Sequence, residues 1–119
     1  MKDRPSYREL DRKLKQGIDA ASSKRIRLLE PDSILADLLD LDYLAEDLSK
    51  NLAAIFREIK PIHYEGRRPP QKSYEQGILG SELFAFRWVS RVFGCDMYFK
   101  FAVREGGLWI VSLHRDRGR

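Results

Sequence analysis

Three segments in the last third of the chain alternate between large apolar and polar or small residues, and this pattern restricts the fold most. Successive side chains of a β-strand point to opposite sides of a sheet, so a period of two predicts strands. Glycine-containing turns separate the segments, which predicts an antiparallel sheet of three strands over residues 81–117. One predicted face collects Phe84, Phe86, Trp88, Met97, Phe99, Phe101, Val103, Trp109, Val111 and Leu113. The other face collects Arg87, Arg91, Tyr98, Lys100 and His114.

The turn between the last two segments decides which residues pair across the sheet. If residues 105–107 form a three-residue loop, Tyr98 pairs with His114, while Leu108 and Ile110 lie on the polar face. A turn made of the two glycines alone would move His114 to the apolar face. We favour the three-residue loop because it keeps the apolar face apolar.

The preceding hairpin is predicted to turn at residues 94–95, a Gly-Cys pair. That turn would pair Arg91 with Tyr98. Arg91, Tyr98 and His114 would then form a row across the sheet, with Arg87 and Lys100 beside it.

Such a row suits the phosphate backbone of a nucleic acid. Arginine and lysine neutralise phosphate, tyrosine supplies a hydroxyl or a stacking ring, and histidine exchanges a proton near neutral pH. The alternative is an ordinary solvated sheet face on which Tyr98 is only a cross-strand partner and His114 only ends a strand. The convergence of these groups on one face favours a functional site.

A chain of 119 residues can bury its own core, so we expect a single domain over residues 1–119. It contains no apolar run of membrane-spanning length, and its first residues lack the apolar stretch of a signal peptide. With a single cysteine, Cys95, this pattern predicts a cytoplasmic protein that does not bind membranes. His63 and His114 are the only histidines, and neither shares a metal-binding spacing with Cys95. We therefore expect no metal and no cofactor.

The charged residues are unevenly distributed along the chain. The net charge is +4, yet residues 30–59 are acidic and lie between two basic stretches. The basic surfaces could contact nucleic acid while the acidic segment faces away or meets a basic protein.

Residues 1–60 are predicted to be mainly helical. The first helix covers residues 6–21, with Ser6 as N-cap and Glu9 completing a capping box. Residues 24–30 predict a short edge strand, and two further helices follow until Pro61. The resulting fold class is α+β, with N-terminal helices packed on one face of a C-terminal antiparallel sheet.

Residues 61–80 lack periodicity and form a basic connection rich in proline and tyrosine. Long loops in small domains often carry function. Its cations alternate with tyrosines and predict contacts to an RNA backbone and its bases by Arg67, Arg68, Lys72 and Tyr74. A solvated linker is the alternative interpretation.

The element order, together with the strands Met97-Tyr-Phe-Lys-Phe-Ala-Val and Leu-Trp-Ile-Val-Ser-Leu-His114, resembles the RelE-like toxins of bacterial toxin–antitoxin systems. The similarity is greatest to the MqsR branch. In that branch a Tyr-x-Lys strand is followed by an Ile-Val-Ser strand that ends in a cation. The resemblance implies a RelE-like fold, RNA as substrate, and an antitoxin as protein partner. Tyr98 would match the active-site tyrosine, Lys100 a strand lysine, and His114 the C-terminal catalytic cation.

The implied activity is that of an mRNA interferase, an endoribonuclease that acts without metal on mRNA, free or on the ribosome. The ribose 2′-hydroxyl would attack the adjacent phosphate, with His114 as acid or base and Tyr98 in stacking or proton transfer. Arg87, Arg91 and Lys100 would stabilise the phosphate. Two other functions remain open: nucleic-acid binding without catalysis, and a protein-interaction module that uses the acidic helices.

Overall fold

A computed structural model describes residues 4–118 and shows an α+β fold, as the sequence predicts. Three α-helices and a short 3-10 helix at Pro61–His63 accompany four strands. The helices are α1 (Tyr7–Ser22), α2 (Pro31–Asp40) and α3 (Ala45–Glu58). The strands are β1 (Ile26–Leu28), β2 (Phe84–Ser90), β3 (Cys95–Arg104) and β4 (Gly107–Arg115).

The ends and buried faces of the helices follow from local chemistry. Ser6 caps α1, where its Oγ accepts a hydrogen bond from the Glu9 amide at 3.1 Å. Helix α1 is buried along one stripe, which includes Leu10, Leu14 and Gly17. Helix α3 packs on α1 through a stripe of its own. Apolar residues at helical spacing therefore direct both helices to one side of the sheet.

The sheet is mixed, with strand order β1-β4-β3-β2. β2, β3 and β4 are antiparallel neighbours, whereas β1 pairs in parallel with β4 and places Ile26 beside Leu108. The expectation of a purely antiparallel sheet therefore needs correction at this edge. A parallel partner is reached through a long connection, here the remainder of the chain between β1 and β4.

The turn before β4 differs from the predicted three-residue loop. Glu105 and Gly106 alone form it, both with positive φ (52° and 76°), and Arg104 pairs with Gly107. Two residues of positive φ match the twist of a hairpin. In consequence Leu108 and Ile110 lie in the core with 0% exposure, and their placement on the polar face was wrong.

An irregularity in the pairing restores the predicted partners further along the hairpin. Phe101 pairs with Ile110 but Lys100 pairs with Ser112, so Val111 is an extra residue of β4. A bulge of one residue reverses which face the following side chains occupy. Tyr98 therefore pairs with His114, as predicted, although by a different route.

The other hairpin turns over four residues, since Ser90 pairs with Cys95. Arg87, and not Arg91, is the partner of Tyr98, so the predicted register was wrong here. The Glu58 carboxylate at the end of α3 holds this turn. It accepts hydrogen bonds from Ser90 Oγ at 2.6 Å and from the backbone amides of Arg91 and Val92. These bonds end β2 at Ser90, so the turn begins earlier than the predicted Gly-Cys turn at residues 94–95.

Both faces of the sheet carry apolar side chains, but to different extents. The large core fills the helix-covered face. On the opposite face, which we call the open face, a second and smaller cluster forms where the connection 61–80 folds back and buries Ile78 against Ala102 and Leu83. The connection is therefore partly packed on the sheet. Among residues 4–118, no helix has both the length and the apolar character needed to cross a bilayer.

Candidate functional site

Three neighbouring strands place Arg87, Tyr98 and His114 side by side on the open face. The Tyr98 and His114 rings stack, with centroids 5.1 Å apart and planes at 24°. The Arg87 guanidinium lies 4.9 Å from the centre of the Tyr98 ring. Tyr98 is therefore the middle member of a row that we call the Arg-Tyr-His row.

An acidic side chain, Asp116, lies at the Arg87 end of the row. Arg87 forms an ion pair with Asp116, and both side chains are largely buried. The Asp116 backbone amide donates to the Asp96 carbonyl at 2.9 Å, which continues the strand pairing beyond β4. Asp116 thus fixes the Arg87 side chain and neutralises part of its charge.

The hydrogen bonding of His114 determines its neutral tautomer. His114 Nδ1 lies 2.7 Å from the carbonyl oxygen of Arg115. Because a carbonyl can only accept, Nδ1 carries the proton. Neutral His114 therefore has its lone pair on Nε2, which is the arrangement a general base requires.

Tyr98 remains a phenol near neutral pH. Burial raises its pKa above the ordinary value, and the neighbouring Arg87 charge opposes part of that rise. Tyr98 can therefore donate a hydrogen bond or a proton.

A small cleft of about 210 Å³ opens beside the row and is lined by Tyr98, Lys100 and Arg67, together with Glu65 and Gln71. Lys100 follows Tyr98 on the same face of β3. Arg67 comes from the connection, which reaches the edge of β2 because the Glu65 amide donates to the Ala85 carbonyl at 2.8 Å. This cleft therefore brings together predicted site residues of the sheet, Tyr98 and Lys100, and one of the connection, Arg67.

A second cleft of about 300 Å³ lies at the other end of Arg87 and includes His63, Asp96 and Asp116. His63 Nδ1 accepts from the Lys60 amide at 2.9 Å, so neutral His63 carries its proton on Nε2. Burial, and secondarily the charge of Lys60, lowers the His63 pKa. Sequence reasoning gave His63 no role. Its position after Pro61, in a chain with few histidines, was the only available signal.

Several predicted site residues lie elsewhere. Arg91 is exposed in the turn before β3 and is not part of the row, because that turn is longer than predicted. Arg68 lies over the Tyr64 ring at 5.1 Å and donates to the Pro5 carbonyl, so it fastens the connection to the N-terminal segment. Lys72 and Tyr74 are exposed and do not line either cleft.

Some acids of the helical segment pair with the end of the chain. Arg117 donates to Asp37 at 2.9 Å, and Arg115 lies 3.9 Å from Asp40. Within residues 4–118, no three His, Cys, Asp or Glu side chains group as a metal site would require. The described site is thus built from cations, carboxylates, one phenol and two imidazoles.

No family model matches the chain, and no curated protein matches its sequence.

Proposed function

We propose that the chain is a toxin-like endoribonuclease of the RelE-like type that cleaves mRNA without a metal ion. The Arg-Tyr-His row supports this proposal best, because it brings a basic imidazole nitrogen, a protonated phenol and a guanidinium together on adjacent strands. The resemblance of the last two strands to the MqsR branch supports it independently of the geometry.

In the proposed reaction, His114 Nε2 removes the proton of a ribose 2′-hydroxyl. The 2′-oxygen attacks the adjacent phosphorus, and the bond from phosphorus to the 5′-oxygen of the next nucleotide breaks. In this scheme the Tyr98 hydroxyl protonates that leaving oxygen. The products are a 2′,3′-cyclic phosphate and a free 5′-hydroxyl, so no further reactant is needed.

Stabilisation of the phosphate in this scheme comes from Lys100 and Arg67, with Arg87 held between Tyr98 and Asp116. Arg67, which lines the cleft with Tyr98, takes the role in phosphate stabilisation that the sequence predicts for Arg91. The substrate is mRNA in the cytoplasm, free or on the ribosome, and the proposed protein partner is a cognate antitoxin.

RNA binding without cleavage is the second candidate. The Arg87–Asp116 ion pair favours it, because a carboxylate beside the row weakens the field available for a developing phosphate charge. The two candidates share the open face and differ in whether His114 acts on bound RNA.

Induced expression in bacteria separates them. We expect wild type to arrest growth and degrade mRNA, and His114→Gln to do neither. Arg87→Gln should also lose activity, whereas Arg91→Gln, which removes the same charge four residues away, should keep it. Intact mRNA and normal growth with soluble wild-type protein would contradict the ribonuclease. Equal loss in both arginine variants would contradict the assignment of the row.

A further inference from the structure

A cleft of about 590 Å³ lies away from the Arg-Tyr-His row, at the end of the sheet where β1 begins and β4 leaves its turn. Its lining includes Lys24, Arg25, Arg27, Arg104, Glu105 and Trp109. Four of these six side chains are cations and one is an acid. No part of the proposed reaction uses this cleft.

An aromatic ring and a cation form one wall of the cleft. Arg27 and Trp109 are partners in the parallel pairing of β1 and β4. The Arg27 guanidinium lies 5.6 Å from the centre of the indole ring. Trp109 reaches this position because the two-residue turn pairs it with Ala102 on the open face of the sheet. Indole rings and guanidinium planes are the groups on which unpaired bases stack.

Gly77 of the returning connection also lines the cleft, and the connection is held in place. Arg104 Nη1 donates to the Leu79 carbonyl at 3.1 Å and to Ser81 Oγ at 3.0 Å. Gly77 passes close to the indole, since a Cβ there would lie 3.2 Å from Trp109, and its φ is +90°. The cleft is thus bordered by strand backbone and by a connection that these hydrogen bonds hold in place.

The remaining cations are available to a ligand. Lys24, Arg25 and Arg27 are all exposed, while Arg104 is used to hold the connection. These three exposed cations lie close together at the start of β1. They create a local positive field that attracts phosphates.

We propose that this basic cleft is a second binding site for single-stranded RNA, in which Arg25 and Arg27 contact phosphates and Trp109 stacks a base. The proposal rests on the proposed function, because it identifies the cleft as the place where the same RNA is held outside the reacting dinucleotide. Trp109 and His114 are separated by about 15 Å along β4. A strand of several nucleotides is therefore required to occupy both places.

The test measures binding separately from cleavage. The probe is a fluorescent 2′-O-methyl oligouridine of about 12 nucleotides, within the range of single-strand site sizes. Its blocked 2′-oxygen prevents the proposed reaction. Fluorescence anisotropy gives its affinity for full-length wild type, Arg25→Gln/Arg27→Gln, and the control Lys50→Gln/Arg57→Gln. The control removes the same charge from exposed positions of α3, on the other side of the sheet.

We expect Arg25→Gln/Arg27→Gln to weaken binding on the order of 10-fold and to reduce the salt slope by about 1.4, while the control stays near wild type. Trp109→Leu should weaken binding by on the order of 10-fold with little change in salt slope. A thermal melt of each variant verifies that it is folded.

Three results would overturn the proposal. Equal losses in the two double variants would show a general charge effect. If wild type cleaves RNA and Arg25→Gln/Arg27→Gln binds the probe as tightly as wild type, the cleft is not an RNA-binding site. The proposed ribonuclease function would then be unaffected. If wild type does not bind the probe, both the second binding site and the proposed function are contradicted.

Discussion

The two faces of the sheet differ in how their side chains are held. On the helix-covered face, Phe86, Phe99 and Phe101 have 0% exposure, and Phe101 has ring neighbours on α3 and on two strands. On the open face, Tyr98 and His114 are only partly buried and stack on each other. We infer from this difference that the helix-covered face contributes most of the stability. The polar groups of the open face are then not required to hold the fold together. Substitutions on the two faces should therefore have separable effects.

The largest expected effect is that of Phe101→Ala. Removing a fully buried ring leaves a cavity between α3 and the sheet, at a cost of about 4 kcal/mol in the free energy of unfolding. The matched control is Lys100→Ala, one residue earlier and on the open face, with an expected cost below about 1 kcal/mol. Urea denaturation of both variants measures the difference. Similar costs would show that the two faces contribute alike.

Glu58→Gln tests the ionic support of the β2–β3 turn, with an expected loss of about 2 kcal/mol at neutral pH. Burial raises the Glu58 pKa, but hydrogen bonds from Ser90, Trp88, Val92 and Arg91 outweigh it, and the net pKa is lowered. A lowered folded pKa gives stability that is present above the unfolded pKa and is lost as pH falls through the folded value. The difference between wild type and variant should therefore shrink in acid. A difference independent of pH would contradict this role of the carboxylate.

A smaller effect is expected for Gly17→Ala at the contact of α1 with α3. A Cβ at Gly17 would lie 2.4 Å from the Phe56 ring, which is itself buried. Overpacking outweighs the better helix propensity of alanine, so we expect a net loss of about 1 kcal/mol. The control is Ala54→Gly at an exposed position of α3, where only helix propensity changes. Its expected cost in the free energy of unfolding is also about 1 kcal/mol. Thermal unfolding in which Gly17→Ala is more stable than wild type would contradict the close packing.

The sequence was informative wherever one period dominated. Strand alternation predicted the apolar face around Phe84, Phe99 and Phe101, and helical spacing predicted the stripes of α1 and α3. Ser6 and Glu9 located the start of α1. These signals are local, so they require no knowledge of the distant partner.

The register was harder to predict because tertiary contacts decide it. The Glu58 carboxylate holds the turn after Ser90, and this contact joins residues far apart in the sequence. The bulge at Val111 likewise has no local signature. The predicted pairing of Tyr98 with His114 is correct because the shorter turn and the bulge offset each other. Arg91 was given the position that Arg87 occupies, because nothing local marks the end of β2 at Ser90. The folding of Ile78 over the open face was missed because residues 61–80 show no periodicity.

If the open face performs the proposed RNA chemistry, a substitution there should abolish cleavage without unfolding the protein. The most direct measurement compares RNA cleavage rates and unfolding free energies of purified wild type and His114→Gln. We predict a rate loss of roughly 10²- to 10⁴-fold for the variant. Its unfolding free energy should change by less than about 1 kcal/mol. Equal cleavage rates in the two folded proteins would contradict the proposal, as would a rate loss that is matched by loss of the folded state.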